Sequence, residues 1–445
     1  MENALEPILS GVLGSFVELD RMVVPDLEEA SDRPGFIRVV DGNIEVQLLR
    51  ESPGPPRKAR RLGGPVAIVG ATPGGGAVVL DVTRWGRRTN YGGSRVSIDY
   101  ACADTLIAGV NVFQLTSVRI TKVAARFLGE AVLKWVGVDA YETEISYDDS
   151  TRAPTAVITL LPPRAESVPL LRSRRLEVMS SWSLQATGER GPAIDTGAEI
   201  AVSAAKPVAA AALLTPLLRL KELMGFAFNG APSPPLSVSV MCDGPMRRAS
   251  LWNSELMRTE PTRDSVERGL HPLFTVSDLG GVRGLSRWVA LCERHPRAIS
   301  PMRNVHRGLT STYPVMLMQV AAALEYWAAA NARSAAWARI RPPAEAVARR
   351  LGTRASLWLG DVAKWADALT VYNNKLKHDP KYAVDPQDLR TLCESAYLVL
   401  AAALLCRAAE SQAPATVLLS DYRFHRLGEQ VRHLAGNWVR PAKWT

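Results

Sequence analysis

Cysteine is sparse in this chain, and no two cysteines are close in sequence. Cys102, Cys242, Cys292, Cys393 and Cys406 are widely scattered, with no CxxC pair and no Cys/His cluster. That spacing argues against a zinc site, so no metal and no cofactor is expected. Cys393 and Cys406 fall in an apolar stretch and read as small core residues. Long apolar runs are also missing: the stretch 396–406 is too short to span a bilayer. The N-terminus carries Glu2 and Glu6 with no basic stretch, which is not the pattern of a signal peptide. A cytoplasmic protein with no membrane partner is expected. No internal repeat is visible. The glycine-rich stretch 70–76 lacks the Lys-Ser/Thr of a phosphate loop and precedes strand-like sequence, so it reads as a hairpin turn.

What is present is ordinary for a globular protein. The chain has 445 residues, 47% hydrophobic and 22% charged, enough for two or more domains with sizeable cores. The formal net charge is +9, which favours polyanionic partners such as nucleic acid.

The texture changes once along the chain. From about residue 35 to 200, short β-type runs alternate with Gly/Pro turns, as in 44–49, 156–160 and 182–185. Residues 206–225, rich in Ala and Leu, read as a helix, and 236–240 as a strand. Residues 243–283 are polar and read as an irregular connection. From about 284 the pattern is helical: 285–293, 313–336, 343–351, 356–378, 386–410 and a shorter stretch near 421–435. Asp385-Pro386 is a cap followed by Pro at the first helical position. The expected fold is α+β and multidomain. A β-rich N-terminal domain spans 1–242, a connecting region 243–298, and an all-α bundle 299–445.

Polar chemistry concentrates at Tyr372-Asn373-Asn374-Lys375-Leu376-Lys377-His378-Asp379, at the end of the 356–378 stretch and just before Pro380. Trp358, Val362, Trp365, Leu369, Tyr372 and Leu376 recur at spacings of four and three, the seam of a helix packed in a bundle. At about 100° per residue, Asn374 and His378 fall nearly opposite that seam, with Asp367 and Val371 on their face. Asn374 and His378 are one turn apart and can touch. A titratable His beside fixed positive charge suits proton transfer at a phosphodiester.

Asn-Lys-Leu-Lys-His at the end of such a helix resembles the HEPN superfamily of all-helical domains. Many of its members are metal-independent ribonucleases carrying an Arg, often followed by Asn, and a His a few residues later. Here Asn374 matches that Asn and His378 that His, while Asn373 stands where the family has Arg. The whole chain resembles the ApeA-like family of bacterial anti-phage proteins, with a β-rich N-terminal domain and a C-terminal HEPN domain. The pieces that carry this likeness are 35–49, 66–70, 77–82, and Phe113-Gln114 leading to Lys134-Trp135.

The resemblance implies an endoribonuclease of the abortive-infection type, with RNA as substrate and His378 as general acid or base. Asn374 would orient His378 or hold a phosphate oxygen; Asp367, on the same helix face, is a candidate orienting residue. Lys375 and Lys377 would offset charge on the phosphate. It also implies a homodimer through the HEPN domain and a phage-derived trigger at the N-terminal domain. A neutral Asn373 cannot form a bidentate fork with phosphate, so Arg at 373 is expected to preserve or raise activity. Two alternatives stay open: an inactive RNA- or nucleotide-binding module, and a helical dimerisation scaffold. Arg303-Asn304-Val305-His306 repeats the theme at too tight a spacing. The tail, with Arg423, His425, Arg426, Arg432, His433, Trp438, Arg440, Lys443 and Trp444, reads as a solvated helix with packing tryptophans, or as an RNA-stacking surface.

Overall fold

Alternating apolar residues close the first strands into a barrel. The computed structural model describes residues 5–25, 32–50, 65–89, 97–147, 154–186, 192–230, 235–242, 248–258, 271–306, 312–331, 343–379 and 384–440. After a short helix α1 (Glu6–Ser10) come β1 (Val12–Leu19), β2 (Arg33–Val40), β3 (Asn43–Arg50), β4 (Ala67–Thr72), β5 (Gly75–Thr89) and β6 (Ser97–Val110). They pair in the order β6-β3-β2-β1-β4-β5, and β5 pairs back to β6, so the sheet closes. Closure removes the sheet edges. The inward residues Phe16, Ile37, Ile44, Val46, Leu48, Ile68, Val79 and Leu106 fill the interior. Gly70 is required here, because a Cβ would overlap the Phe16 ring. The 70–76 stretch forms the β4–β5 hairpin, with Thr72 paired to Gly75 across a two-residue turn. Arg33 binds Asp99 at 2.9 Å and also Glu18, tying β1, β2 and β6 together.

β6 is long enough to serve two neighbours. Its first half pairs with β3, and Thr105–Ala108 pair with β14 (Arg248–Asn253). From there the antiparallel sheet continues through β13 (Ser237–Cys242), β7 (Ile120–Leu128), β12 (Pro192–Val208), β11 (Arg174–Ala186) and β10 (Ala165–Leu170), giving twelve strands. A separate ribbon pairs β8 (Tyr141–Tyr147) with β9 (Pro154–Leu160). Two further helices are α2 (Glu130–Val136) and α3 (Ala210–Ala227). Residues 206–208, read as helix from sequence, belong instead to β12. β14 and the one-turn α4 (Ser254–Met257) lie in the stretch read as irregular. β14 is ordered by pairing on both sides, a tertiary effect that its short mixed sequence does not announce.

The chain divides into two compact units. One comprises Met1–Val132, Ala140–Lys221 and Ser233–Thr259; the other Leu133–Asp139, Glu222–Pro232 and Glu260–Thr445. The fold is α+β, β-rich first and helical after. The second unit contains α5 (Val282–Arg294), α6 (Pro296–His306), α7 (Tyr313–Ala330), α8 (Pro343–Arg350), α9 (Gly352–Leu359), α10 (Val362–His378), α11 (Pro386–Ala409), α12 (Ala413–Ser420) and α13 (His425–Asn437). α6 and α12 escape the sequence reading because each is short and starts at or near a Pro. Residues 332–336 of the expected 313–336 helix lie outside the described residues.

α11 is the spine of this unit, and α5, α6, α7, α8, α10, α12 and α13 all pack on it. With 24 residues it is long and apolar enough to cross a membrane by length and composition alone, longer than its apolar run suggests. Most of its residues are buried against the other helices. Burial pushes the Cys393 thiol up to about 12 and the Cys406 thiol up to about 11, so both stay protonated at neutral pH.

Candidate functional site

The helix that carries the polar cluster starts later than its periodicity implies. The 356–378 stretch is two helices, α9 and α10, broken at Gly360-Asp361. Gly360 has φ +75° at the end of α9, a conformation that costs a side-chain-bearing residue more. Asp361 then caps α10, accepting from the N–H groups of Ala363 and Lys364 at 3.1 Å each. Trp358 therefore belongs to α9, while Val362, Trp365, Leu369 and Tyr372 form the buried seam of α10. Trp365 donates its ring N–H to Ser395 Oγ on α11 at 3.0 Å, and Tyr372 donates to Asp388 at 3.0 Å. These two bonds fix α10 against the first half of α11.

The cluster itself splits between interior and surface. His378 and Lys377 are exposed in the last turn, while Asn374 and Lys375 are half-buried. The Asp379 N–H closes the helix on Lys375 O at 2.8 Å. Three cationic or protonatable side chains, Lys375, Lys377 and His378, thus stand at the negative end of the helix. Asn373 does not join them. It is 2% exposed, and its Oδ1 has no hydrogen-bond partner. The side chain at position 373 is buried within the helical unit.

The second face of α10 is also less open than its periodicity implies. Val371 is buried. Asp367 accepts from the Trp438 ring N–H at 2.9 Å and pairs with Arg440 at 3.7 Å. The Trp438 ring lies 6.0 Å from that of Tyr372, and Lys364 donates to Gly436 O at 3.3 Å. Residues after α13 therefore seat on α10 and hold Asp367 two turns before Asn374. Trp438 acts here as a packing residue with one polar contact. The sequence signal for this pairing was only its basic, aromatic composition. Lys443 and Trp444 lie outside the described residues. Arg303 pairs with Glu222 at 3.0 Å, and Asn304 donates to Gln319 at 3.2 Å, so both serve packing in α6.

The family-level comparison falls on the other part of the chain. The model of ApeA N-terminal domain 1 matches residues 24–288, more than half of the sequence. The chain belongs to the ApeA family. It is thereby a member of an anti-phage defence family. No curated protein and no solved structure matches it. The matched segment of this ApeA-family protein takes in β2 to β14 and ends within α5, before the helix that carries His378.

A second polar group in the helical unit was not anticipated from sequence. His295 Nδ1 lies 3.1 Å from Tyr326 OH, the ring is edge-on to Trp327 at 5.3 Å, and Arg297 lies 5.4 Å over the Tyr326 ring. Burial, then Arg294 and Arg407, hold His295 below its ordinary value of 6.5. The folded state therefore binds this proton less readily than the unfolded chain. Its contribution is full above pH 6.5 and is lost as pH falls through the lowered folded value. In the ApeA-family protein, the His295→Gln variant is expected to show a shallower loss of Tm than wild type between pH 7.5 and 5.5. Thermal unfolding across that range checks it. Parallel curves would contradict the assignment.

Proposed function

We propose that this anti-phage protein acts on RNA through a HEPN-type helical domain, as a metal-independent endoribonuclease centred on His378. The observation that carries the reading is the exposed His378 beside Lys377 at the cationic end of α10, with Asn374 one turn behind. In this reading His378 moves the proton of the ribose 2′-hydroxyl or of the leaving oxygen. Such transfer contributes ~10²–10⁴ in rate. Asn374 orients the imidazole or a phosphate oxygen. Lys377, with Lys375, offsets charge that grows on the phosphate.

Asn373 takes no part in phosphate binding here, because it faces the bundle interior. Turnover is accordingly slow, and the lysines supply what cationic stabilisation there is. Asp367 is engaged by Trp438 and Arg440 and acts through the position of α10. The reading includes a homodimer in which two copies of the α10 end line one cleft, a cytoplasmic setting, and a phage-derived trigger acting on the β-rich region. An inactive RNA-binding module is the second reading, and the burial of Asn373, which leaves no side chain of position 373 at the surface to meet phosphate, favours it.

The test uses purified protein in EDTA with two single-stranded substrates, an RNA and the same sequence with 2′-deoxy sugars. The expected result is cleavage of the RNA alone. Cleavage of both strands, or a strict requirement for added Mg²⁺, would contradict the mechanism. RNA binding without cleavage would put the binding module in its place.

A further inference from the structure

The β8–β9 ribbon stands outside the twelve-stranded sheet. Its base is anchored in its own unit: Leu161 N–H donates to Ala140 O at 3.0 Å, and the Trp182 ring N–H donates to Leu161 O at 2.9 Å. Beyond that base it is exposed on both faces, with Ile145 at 59%, Val157 at 53% and Ile158 at 50%. A two-stranded ribbon is marginal alone and gains from a third strand or a packed face.

Its register sorts the side chains. Tyr141 pairs with Leu160 and Thr143 with Ile158, so these residues share one face with Ile145. Glu142 pairs with Thr159 and Glu144 with Val157 on the opposite face. β8 is therefore apolar on one side and acidic on the other. Among the described residues its outer edge pairs with no strand. The local charge runs against that of the chain. β8 itself, Tyr141–Tyr147, holds Glu142 and Glu144 and no Lys or Arg, in a protein of net charge +9.

We propose that the outer edge of β8 is a docking site for an extended, cationic polypeptide strand that alternates Lys or Arg with apolar residues. Added to that edge, such a strand places its cations beside Glu142 and Glu144. Its apolar side chains extend the face of Tyr141, Thr143 and Ile145, and main-chain bonds supply the remaining affinity. The carboxylates disfavour RNA as the occupant. They equally disfavour a second copy of β8, whose antiparallel pairing would set Glu near Glu. The proposal is independent of the chemistry at His378.

The experiment measures fluorescence anisotropy of a labelled decapeptide, (Lys-Val)5, with the full-length protein. Controls are (Glu-Val)5 and a peptide of five lysines followed by five valines. The alternating cationic peptide is expected to bind wild type, and the controls to bind at least about tenfold more weakly. The Glu142→Gln/Glu144→Gln and Ile145→Ser/Ile158→Ser variants, both at exposed positions, are each expected to weaken binding roughly three- to tenfold. No binding to wild type would overturn the proposal. Equal binding of all three peptides, or unchanged binding in both variants, would overturn it too. So would concentration-dependent dimerisation that the Ile145→Ser/Ile158→Ser variant abolishes, because the edge would then serve a second copy.

Discussion

Asn373→Arg is expected to destabilise the protein, on the order of 3–5 kcal/mol, without restoring catalysis. The position is 2% exposed and packs inside the helical unit. A guanidinium there loses its hydration, and the neighbouring orphaned acceptor belongs to the residue it replaces. Larger volume adds overpacking against the seam of α10. Asn373→Ala makes the instructive contrast. Its Oδ1 forms no hydrogen bond to lose, so the cost is expected to stay within about 1 kcal/mol. Denaturant unfolding of both variants checks the pair. An Asn373→Arg protein as stable as wild type and faster on RNA would mean that position 373 faces substrate. This expectation reverses the one drawn from the motif alone, where a restored Arg promised more activity.

That reversal marks where the sequence was legible and where it was not. The seam Trp365, Leu369 and Tyr372 follows from spacing, and it is buried. Asn373 lies four residues beyond Leu369 and eight beyond Trp365, on a row that also faces inward. Its burial was therefore visible in the same periodicity, but a motif-led reading drew it outward with Asn374. The Gly360-Asp361 break was likewise written in the sequence, as a stop residue followed by a cap. It was hidden because Trp358 and Val362 happen to keep the apolar spacing across it.

The change from β-type to helical texture was readable because it rests on local periodicity. Barrel closure was not, since it needs the β3–β6 and β1–β4 pairings, each between strands about fifty residues apart in sequence that only tertiary structure brings together. The same holds for β14 and for the seat of Trp438 on Asp367, 71 positions apart in sequence.

His378→Ala is the second large effect, and it should leave the fold intact. The residue is exposed in the last turn of α10, and the helix is held by bonds further back, at Trp365 and Tyr372. Substitution of an exposed side chain away from packing and caps usually changes stability by only about 0.5 kcal/mol. Removing a proton carrier costs ~10²–10⁴ in rate. Stability and activity should therefore separate cleanly in this variant, whereas in Asn373→Arg they fall together.

The most direct measurement is the rate of RNA cleavage in EDTA by wild type and by His378→Ala, with matched circular dichroism and unfolding midpoints. The account predicts cleavage by wild type and a loss of ~10²–10⁴ in the variant at unchanged fold. A folded His378→Ala protein that cleaves at the wild-type rate would contradict it.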